Sequence, residues 1–301
     1  MNRSDEVAVL TNPAAGRSRH QRVVPQIVER LRAAGRPLTL LRANDSAESE
    51  RVCRQALADG VGALVAVGGD GTVHAAVQAV AGTGVPLAVV PAGTGNDFAV
   101  ALGVSTDPLA AADVAASGLK TDTTRMVDLA RVTDTNDATR WFGTVLAAGF
   151  DAVVNERANR LRWPRGDRRY DVAIVLELLK LRARRYVLRL DGQEHHTDAV
   201  LVAVGNTTSY GGGMRICPNA DPTDGLLDIV VGGRFSRPAL MRIKPRVYHG
   251  THVHHRMVQT YRARTVELSA EGITTYADGE RCLALPVTIT SVPGALRVLT
   301  G

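Results

Sequence analysis

The chain has 301 residues and a mass of 32.0 kDa, which suits two domains of ~150 residues better than one compact core. Hydrophobic residues make up 45% and charged residues 22%, which excludes a largely disordered chain. A net charge of +6 and a pI of 9.6 indicate an anionic partner, such as phosphates or an acidic membrane surface. Nucleic acid is disfavoured as that partner, because aromatic residues are only 4% and no DNA-binding motif is present.

The cysteines and the N-terminus indicate a compartment. Cys53, Cys217 and Cys282 are far apart and odd in number, and no C-x-x-C pair occurs. A disulfide framework or a zinc finger is therefore not expected, and a reducing cytosol fits best. The polar start runs directly into an apolar strand, so we expect no signal peptide. The uncharged stretch Gly71–Asn96 is interrupted by glycine and proline, and is not expected to cross a membrane.

Strand and helix patterns alternate over about the first 125 residues, which is typical of a parallel α/β sheet. Apolar residues at helical spacing predict a first helix that ends at Gly35. Asp45 and Glu48 predict a capping box that opens a helix ending near Gly60. Strands are predicted at Val7–Leu10, Leu38–Leu41, Ala63–Val67 and Leu87–Val90.

The second half has the pattern of a mainly antiparallel β-sandwich. Short β-rich runs alternate there with turn signals such as Asp191-Gly192, and one helical insertion is predicted at Arg168–Arg184. We therefore predict an α/β domain with a parallel sheet over residues 1–125 and a β-rich domain over 126–301, whose last strand could return to the first domain. The predicted runs are Met126–Val132, Trp141–Ala147, Val187–Leu190, Val200–Val204, Leu226–Val231, Thr265–Leu268 and Val287–Thr290.

The strongest chemical signal is Gly68-Gly69-Asp70-Gly71-Thr72, which follows a predicted strand and opens a helix. Its glycines let the backbone approach a ligand, and the helix N-terminus offers N–H donors to phosphate. A carboxylate at Asp70 would repel phosphates unless Mg²⁺ lies between them. The alternative is a plain glycine-rich turn with Asp70 as the N-cap of the helix.

Two further loops repeat this arrangement. Pro91–Ala99 offers the Thr94 hydroxyl, with Asn96 or Asp97 available to cap the next helix, and Asn12–Gly16 follows the first strand. Three such loops at the carboxyl ends of one parallel sheet predict a nucleotide site. The sequence lacks the P-loop, the G-x-G-x-x-G fingerprint and the protein-kinase motifs.

Together with Asp278-Gly279-Glu280, these loops resemble the bacterial diacylglycerol kinase family, within the lipid kinases that include sphingosine kinases. The resemblance extends along the chain through Ala148–Asp151, Arg157–Pro164 and Gly205–Gly213. It implies a two-domain kinase that binds ATP between the domains and phosphorylates diacylglycerol to phosphatidic acid.

The resemblance also implies roles for residues. Glu280 would be the general base for the lipid hydroxyl, and Asp70 would work with magnesium on the transferred phosphate. A structural magnesium would bind Asp224 and the carbonyls of Asp221 and Leu226, with Asp128 nearby. ATP would contact Asn12, Pro13, Ala14, Ala15, Gly16, Gly68, Gly69, Gly71, Thr72 and Thr94. The sequence departs from the family at two positions: Ala75 stands where glutamate is common, and Leu41 where threonine is common.

Some of these patterns have simpler interpretations. Asp278-Gly279 is also a common hairpin turn, and Asp191-Gly192 shows how readily such a pair arises. The four histidines between 249 and 255 fit no zinc spacing, so an exposed strand or loop is expected there.

A basic run around Leu161 and Trp163 could hold the chain on an anionic membrane, or could be a solvated face. Its members are Arg157, Arg160, Arg162, Arg165, Arg168 and Arg169. The expected location is the cytoplasm, peripherally at the inner face of the membrane, and a homodimer is left open.

Alternative functions are phosphorylation of a sphingoid base or ceramide, a soluble NAD kinase, and a non-catalytic nucleotide- or lipid-binding regulator. Asp70 and Glu280 together disfavour the regulator.

Overall fold

The computed structural model describes residues 5–12, 19–149 and 182–301. The chain divides into two compact units. The first unit comprises Met1–Leu129 and Val292–Gly301, and the second comprises Ala130–Ser291.

The first unit is built on a parallel sheet with the strand order β2-β1-β3-β4, and the end of the last strand of the chain lies beside β4. The predicted α/β character is confirmed, and each of the four predicted strands is present. The elements are β1 (Val7–Thr11), α1 (Arg19–Arg32), β2 (Leu38–Arg42), α2 (Ser46–Ala58), β3 (Ala63–Gly68), α3 (Asp70–Val80), β4 (Leu87–Pro91), α4 (Asp97–Ala101) and α5 (Pro108–Thr121).

Burial on both faces explains why β1, β3 and β4 are continuous apolar runs. The apolar stripe of α1, with Ile27 and Leu31, packs in one cluster with β-strand residues such as Val9 and Val65. The cap of α2 forms as predicted, because Asp45 accepts a hydrogen bond from the Glu48 amide at 2.8 Å.

The strand order places the carboxyl ends of three strands, β1, β3 and β4, at one edge of this sheet. From β1 the chain crosses to β2 on one side, and from β3 it crosses to β4 on the other side. Such a reversal leaves a crevice beyond the carboxyl ends of the strands, where open α/β sheets bind ligands. The strand ends at Thr11, Gly68 and Pro91 all lie at this edge.

The second unit is a mainly antiparallel β-sandwich, as predicted. One sheet has six strands in the order β12-β11-β10-β7-β14-β15, and strands β16, β13, β8 and β9 are neighbours in the other. The buried cluster of this unit contains large side chains such as Phe142, Leu146, Tyr186 and Ile229. The remaining strands of the chain, of which β5 begins and β16 ends in the first unit, are β5 (Thr124–Asp134), β6 (Thr139–Phe142), β7 (Val145–Gly149), β8 (Arg184–Leu190), β9 (Gln193–Ala199), β10 (Leu201–Gly205), β11 (Leu227–Gly232), β12 (Val258–Ala263), β13 (Thr265–Ser269), β14 (Thr274–Ala277), β15 (Glu280–Ala284) and β16 (Val287–Leu299).

Local predictions fail at several places in this unit. The run Trp141–Ala147 is two strands rather than one, because the amides of Gly143 and Thr144 bind the Asp278 side chain. The predicted helix does not reach Arg184, which begins β8, and residues 168–181 of that prediction lie outside the described residues.

A helix, α6 (Arg237–Tyr248), was not anticipated, because its prolines and basic residues obscure the apolar period. For the histidines, the expected exposure holds at His249 and His254, but the expected strand or loop is wrong, and so is exposure at His252. Residues Thr251–His254 form a 3-10 helix, and His252 is only 2% exposed, with Nε2 3.0 Å from the Ile216 carbonyl. Within the described ranges, no helix has the length and apolar character needed to cross a membrane.

Candidate functional site

Two glycine loops of the first unit touch through their backbones. A Cβ added to Gly93 would lie 2.5 Å from the Gly69 Cα, and one added to Gly69 would lie 3.3 Å from the Gly93 Cα. The Ala92 amide also donates to the Gly68 carbonyl at 2.8 Å. Glycine is needed for this approach at position 93, where a Cβ would overlap the facing backbone, whereas a Cβ at position 69 would make only a tight contact.

Asp70 ties the same two loops together. It is the first residue of α3, and Gly69 is the N-cap, so Asp70 as N-cap is wrong. Its Oδ2 accepts a hydrogen bond from the Asn96 amide at 2.8 Å. Asn96 does not cap α4 through its side chain, which binds the Gly93 amide at 3.2 Å and the Gly93 carbonyl at 3.0 Å. The loop that follows β4, called the β4 loop below, is thus organised around the carboxylate of Asp70 at the start of α3.

Asp97 is a further acidic residue of this site, which the sequence analysis considered only as a cap. It begins α4 and is 7% exposed. The Cβ position of Gly95 lies 3.7 Å from the Asp97 Oδ2 and overlaps the Asp70 Oδ2. Two carboxylates therefore converge on Gly95. The sequence signal for this role was that Asp97 directly follows the glycine loop of residues 93–96, which Asp70 also faces.

The other predicted nucleotide contacts differ in environment. Asn12 is half-buried at the end of β1, and Thr72 is buried, with its side chain folded over Gly68. Gly71 is half-buried in the first turn of α3, and Thr94 is exposed in the β4 loop. The remaining predicted contacts, Pro13, Ala14, Ala15 and Gly16, lie outside the described residues.

Glu280 lies in the second unit, as the half-buried first residue of β15. The turn between β14 and β15 is Asp278-Gly279, with φ values of 52° and 81°. Positive φ at both positions is typical of two-residue hairpin turns, so the hairpin interpretation is correct for the backbone. The turn is not simply exposed, because Asp278 accepts hydrogen bonds from Gly143 and Thr144.

The residues predicted for the structural metal are distributed over both units. Asp221, Asp224 and Leu226 share the loop before β11, where the Asp224 Oδ1 accepts from the Leu226 amide at 2.9 Å. Asp128 belongs to the first unit, where its Oδ1 accepts from the Gly294 amide at 2.8 Å. Among the described residues, no group of three or more His, Cys, Asp and Glu side chains is arranged to hold a metal ion.

Arg262 already provides a positive charge beside this loop. Its guanidinium forms an ion pair with Asp224, and its Nε lies 3.1 Å from the Asp228 Oδ2. Burial raises the pKa of the Asp228 carboxyl, and Arg262 opposes that shift. A cation at Asp224 would therefore have to share that carboxylate with Arg262.

Comparison with known proteins agrees with this architecture. Residues 6–132 match the model of the diacylglycerol kinase catalytic domain, and residues 144–300 match the YegS C-terminal NAD kinase beta sandwich-like domain. A solved diacylglycerol kinase structure from Bacillus anthracis aligns with a TM-score of 0.73 at 24% identity, covering 99% of this chain and 97% of the other. At that identity the likeness shows the fold alone.

Sequence relatives extend the match. A protein of Mycobacterium tuberculosis named diacylglycerol kinase is 44% identical and covers 98% of this chain and 94% of its own length. A YegS-like lipid kinase of Pseudomonas fluorescens is 31% identical over 90% of this chain and 88% of its own. The chain therefore belongs to the bacterial diacylglycerol kinase family and is a lipid kinase.

Proposed function

We propose that the chain transfers the γ-phosphate of ATP to the free hydroxyl of diacylglycerol and so produces phosphatidic acid for phospholipid synthesis. The observation that carries the proposal is the contact of two glycine loops around Asp70, at the ligand-binding edge of a parallel sheet. The choice of acceptor draws on the relative named diacylglycerol kinase.

The nucleotide would bind along the three loops. The backbone amides of Gly69 and Gly71 lie at the start of α3, where N–H donors and the helix dipole favour phosphate. The Thr72 amide already donates to the Gly69 carbonyl at 3.0 Å. The Asn12 side chain, residues 13–16 and the Thr94 hydroxyl would complete the contacts. The lack of a Cβ at Gly69 and Gly93 lets the two loop backbones lie against each other at this edge of the sheet.

The donor set around Gly95 suits magnesium. Mg²⁺ in phosphotransfer sites is bound by one or two carboxylates together with the phosphates of the substrate, and it neutralises charge on the transferred group. Asp70 and Asp97 supply two carboxylates at one point of the loop. Asp70 also holds the Asn96 amide, so the same side chain fixes the loop and faces the ligand.

Glu280 would accept the proton of the lipid hydroxyl. A primary alcohol has a very high pKa, so its proton leaves late in the transfer, and a carboxylate within hydrogen-bond reach suffices as base. Glu280 is half-buried at the start of a strand, so it is accessible to a ligand and is carried by regular structure.

The structural magnesium predicted at Asp224, Asp221, Leu226 and Asp128 remains a proposal with no part in the reaction. Its donor set would be the Asp224 carboxylate with the Asp221 and Leu226 carbonyls, and Arg262 would compete for Asp224.

We also propose peripheral binding to an anionic membrane at the cytoplasmic face, because the substrate resides in a bilayer. The basic run proposed for this contact lies within residues 157–169, outside the described residues.

The test is transfer of labelled γ-phosphate from ATP and Mg²⁺ to dispersed diacylglycerol, sphingosine, ceramide and NAD in parallel. We expect labelled phosphatidic acid, and its loss in Glu280→Gln and Asp70→Asn proteins that keep the wild-type melting temperature. Label in a different lipid would replace the proposed acceptor. Full activity of Glu280→Gln would refute the proposed base.

A further inference from the structure

The hairpin that carries Glu280 is fixed to a neighbouring turn by an adjacent carboxylate. We infer that Asp278 is a positioning residue, which binds the turn at Gly143 and Thr144 and thereby sets the place of Glu280. The inference rests on the proposed role of Glu280 as general base.

Both carboxylate oxygens of Asp278 are engaged. Oδ1 accepts from the Thr144 amide at 2.8 Å and from the Thr144 hydroxyl at 2.6 Å, and Oδ2 accepts from the Gly143 amide at 3.1 Å. The Asp278 amide also donates to the Val145 carbonyl at 3.2 Å. Hydrogen bonds to a charged acceptor are about twice as strong as neutral ones, so this tie is strong for a turn residue.

The turn that Asp278 binds is itself held firmly. Thr144 is 2% exposed, and its carbonyl accepts from the amides of Asn206 at 2.8 Å and Thr207 at 3.1 Å. The Asn206 side chain donates to the Gly143 carbonyl at 2.9 Å. The anchor is therefore the buried junction of β6, β7 and the loop after β10.

Glu280 follows the anchored residue with only Gly279 between them. A two-residue hairpin turn leaves little slack, so a shift of Asp278 is passed to the first residue of β15. An error of ~1 Å in the place of a catalytic group can cost about 100-fold in rate.

The same domain contains a matched control. Asp191-Gly192 joins β8 to β9 with φ values of 47° and 88°, and the Asp191 carboxylate accepts from the Arg264 amide at 3.1 Å and the Thr265 amide at 2.8 Å. The two turns have the same residues, similar backbone and the same kind of tie. They differ in that Asp278 is half-buried and also binds the Thr144 hydroxyl, whereas Asp191 is exposed, and in that only the Asp278 turn leads into Glu280.

The experiment compares Asp278→Gly with Asp191→Gly. Glycine adopts positive φ readily, so both substitutions keep the turn and remove only the tie. We expect the melting temperature to fall in both proteins, and further in Asp278→Gly, which also loses the bond from the Thr144 hydroxyl. We expect kcat to fall by about tenfold or more in Asp278→Gly alone, with the KM for ATP changed less than about threefold.

Variants at the anchor separate positioning from folding. Thr144→Ser keeps the hydroxyl that binds Asp278 and should retain most of kcat, whereas Thr144→Val should lose part of it. If Asp278→Gly fails to fold, this pair supplies the comparison. Equal kcat in Asp278→Gly and Asp191→Gly, or in the two Thr144 variants, would overturn the inference. If Glu280→Gln lost activity while Asp278→Gly stayed fully active, only the positioning role of Asp278 would be rejected. A fully active Glu280→Gln would reject the proposed role of Glu280 as general base.

Discussion

Replacing Gly93 by alanine tests the contact between the two glycine loops. The new Cβ would lie 2.5 Å from the Gly69 Cα and 3.3 Å from the Gly69 nitrogen. Carbon atoms pack at about 3.5 Å or more, so the loops would have to separate by about 1 Å. The Cβ would also lie 3.1 Å from the Asn96 Oδ1, a side-chain atom. The two Gly69 atoms belong to the backbone, so no rotamer change can relieve that overlap.

The expected cost has two parts. Overpacking of this kind destabilises a protein by about 1–3 kcal/mol, which corresponds to a fall in melting temperature of about 3–9 °C. The separation also weakens the bond between Asp70 and the Asn96 amide, which fixes the β4 loop. A displacement of ~1 Å at a reacting group predicts a loss of about 100-fold in kcat/KM.

Gly118→Ala is the control in the same unit. Its Cβ would lie 2.5 Å from the Thr300 carbonyl oxygen, again a backbone atom, but on α5. Alanine gains about 1 kcal/mol of helix propensity there, so the net destabilisation is smaller than at Gly93. The assays are thermal unfolding, ATP binding by calorimetry and kinase turnover. If Gly93→Ala kept wild-type ATP affinity and turnover, or if Gly118→Ala lost as much activity, the loop contact would not be what supports catalysis.

Three predictions concern buried polar groups. Tyr186→Phe should leave stability equal or raise it by about 1 kcal/mol in urea unfolding, because the hydroxyl is buried with no hydrogen-bond partner among the described residues, and a clear loss would contradict this. Burial lowers the pKa of His252 below 6.5, so the folded state favours the neutral imidazole. The free energy of unfolding should therefore be highest above pH 6.5 and should decrease as the pH falls through that lowered pKa. His252→Gln should flatten the slope of stability against pH, and an unchanged slope would refute the assignment. Burial raises the pKa of the Cys53 thiol to about 12, so at pH 8 the thiolate fraction is on the order of 10⁻⁴, and iodoacetamide should label Cys53 only after unfolding.

The first unit could be predicted well from its sequence, because its signals are local. Strands buried on both faces are continuous apolar runs, and the loops between them contain glycine and proline. The capping pair at Asp45 and Glu48 needs only three residues of sequence separation. What escaped prediction there was the pairing of Asp70 with Asn96, whose partners are 26 residues apart.

The second unit was predicted less well, because its details depend on contacts distant in sequence. The break between β6 and β7 is made by Asp278, which lies 134 residues away from Thr144. His252 is buried because Ile216 supplies a carbonyl 36 residues earlier, and nothing near the histidine indicates this. Antiparallel sandwiches are dominated by such non-local pairings, whereas their alternating pattern predicts only that strands exist.

The two Asp-Gly turns show where sequence reasoning reaches its limit. Asp191 and Asp278 are both followed by glycine, and both have a positive φ. In each case the carboxylate accepts hydrogen bonds from amides of another segment. Their sequence and turn backbone are alike, and a turn is the correct interpretation of both. The fold distinguishes them, since Asp278 is half-buried, binds the Thr144 hydroxyl and is followed by Glu280 at the start of β15. An Asp-Gly turn that binds a neighbouring segment is a common way to stabilise a fold, so the same arrangement can place a catalytic group without any new structural element. The comparison of Asp278→Gly with Asp191→Gly separates these two roles, stabilising the fold and placing Glu280.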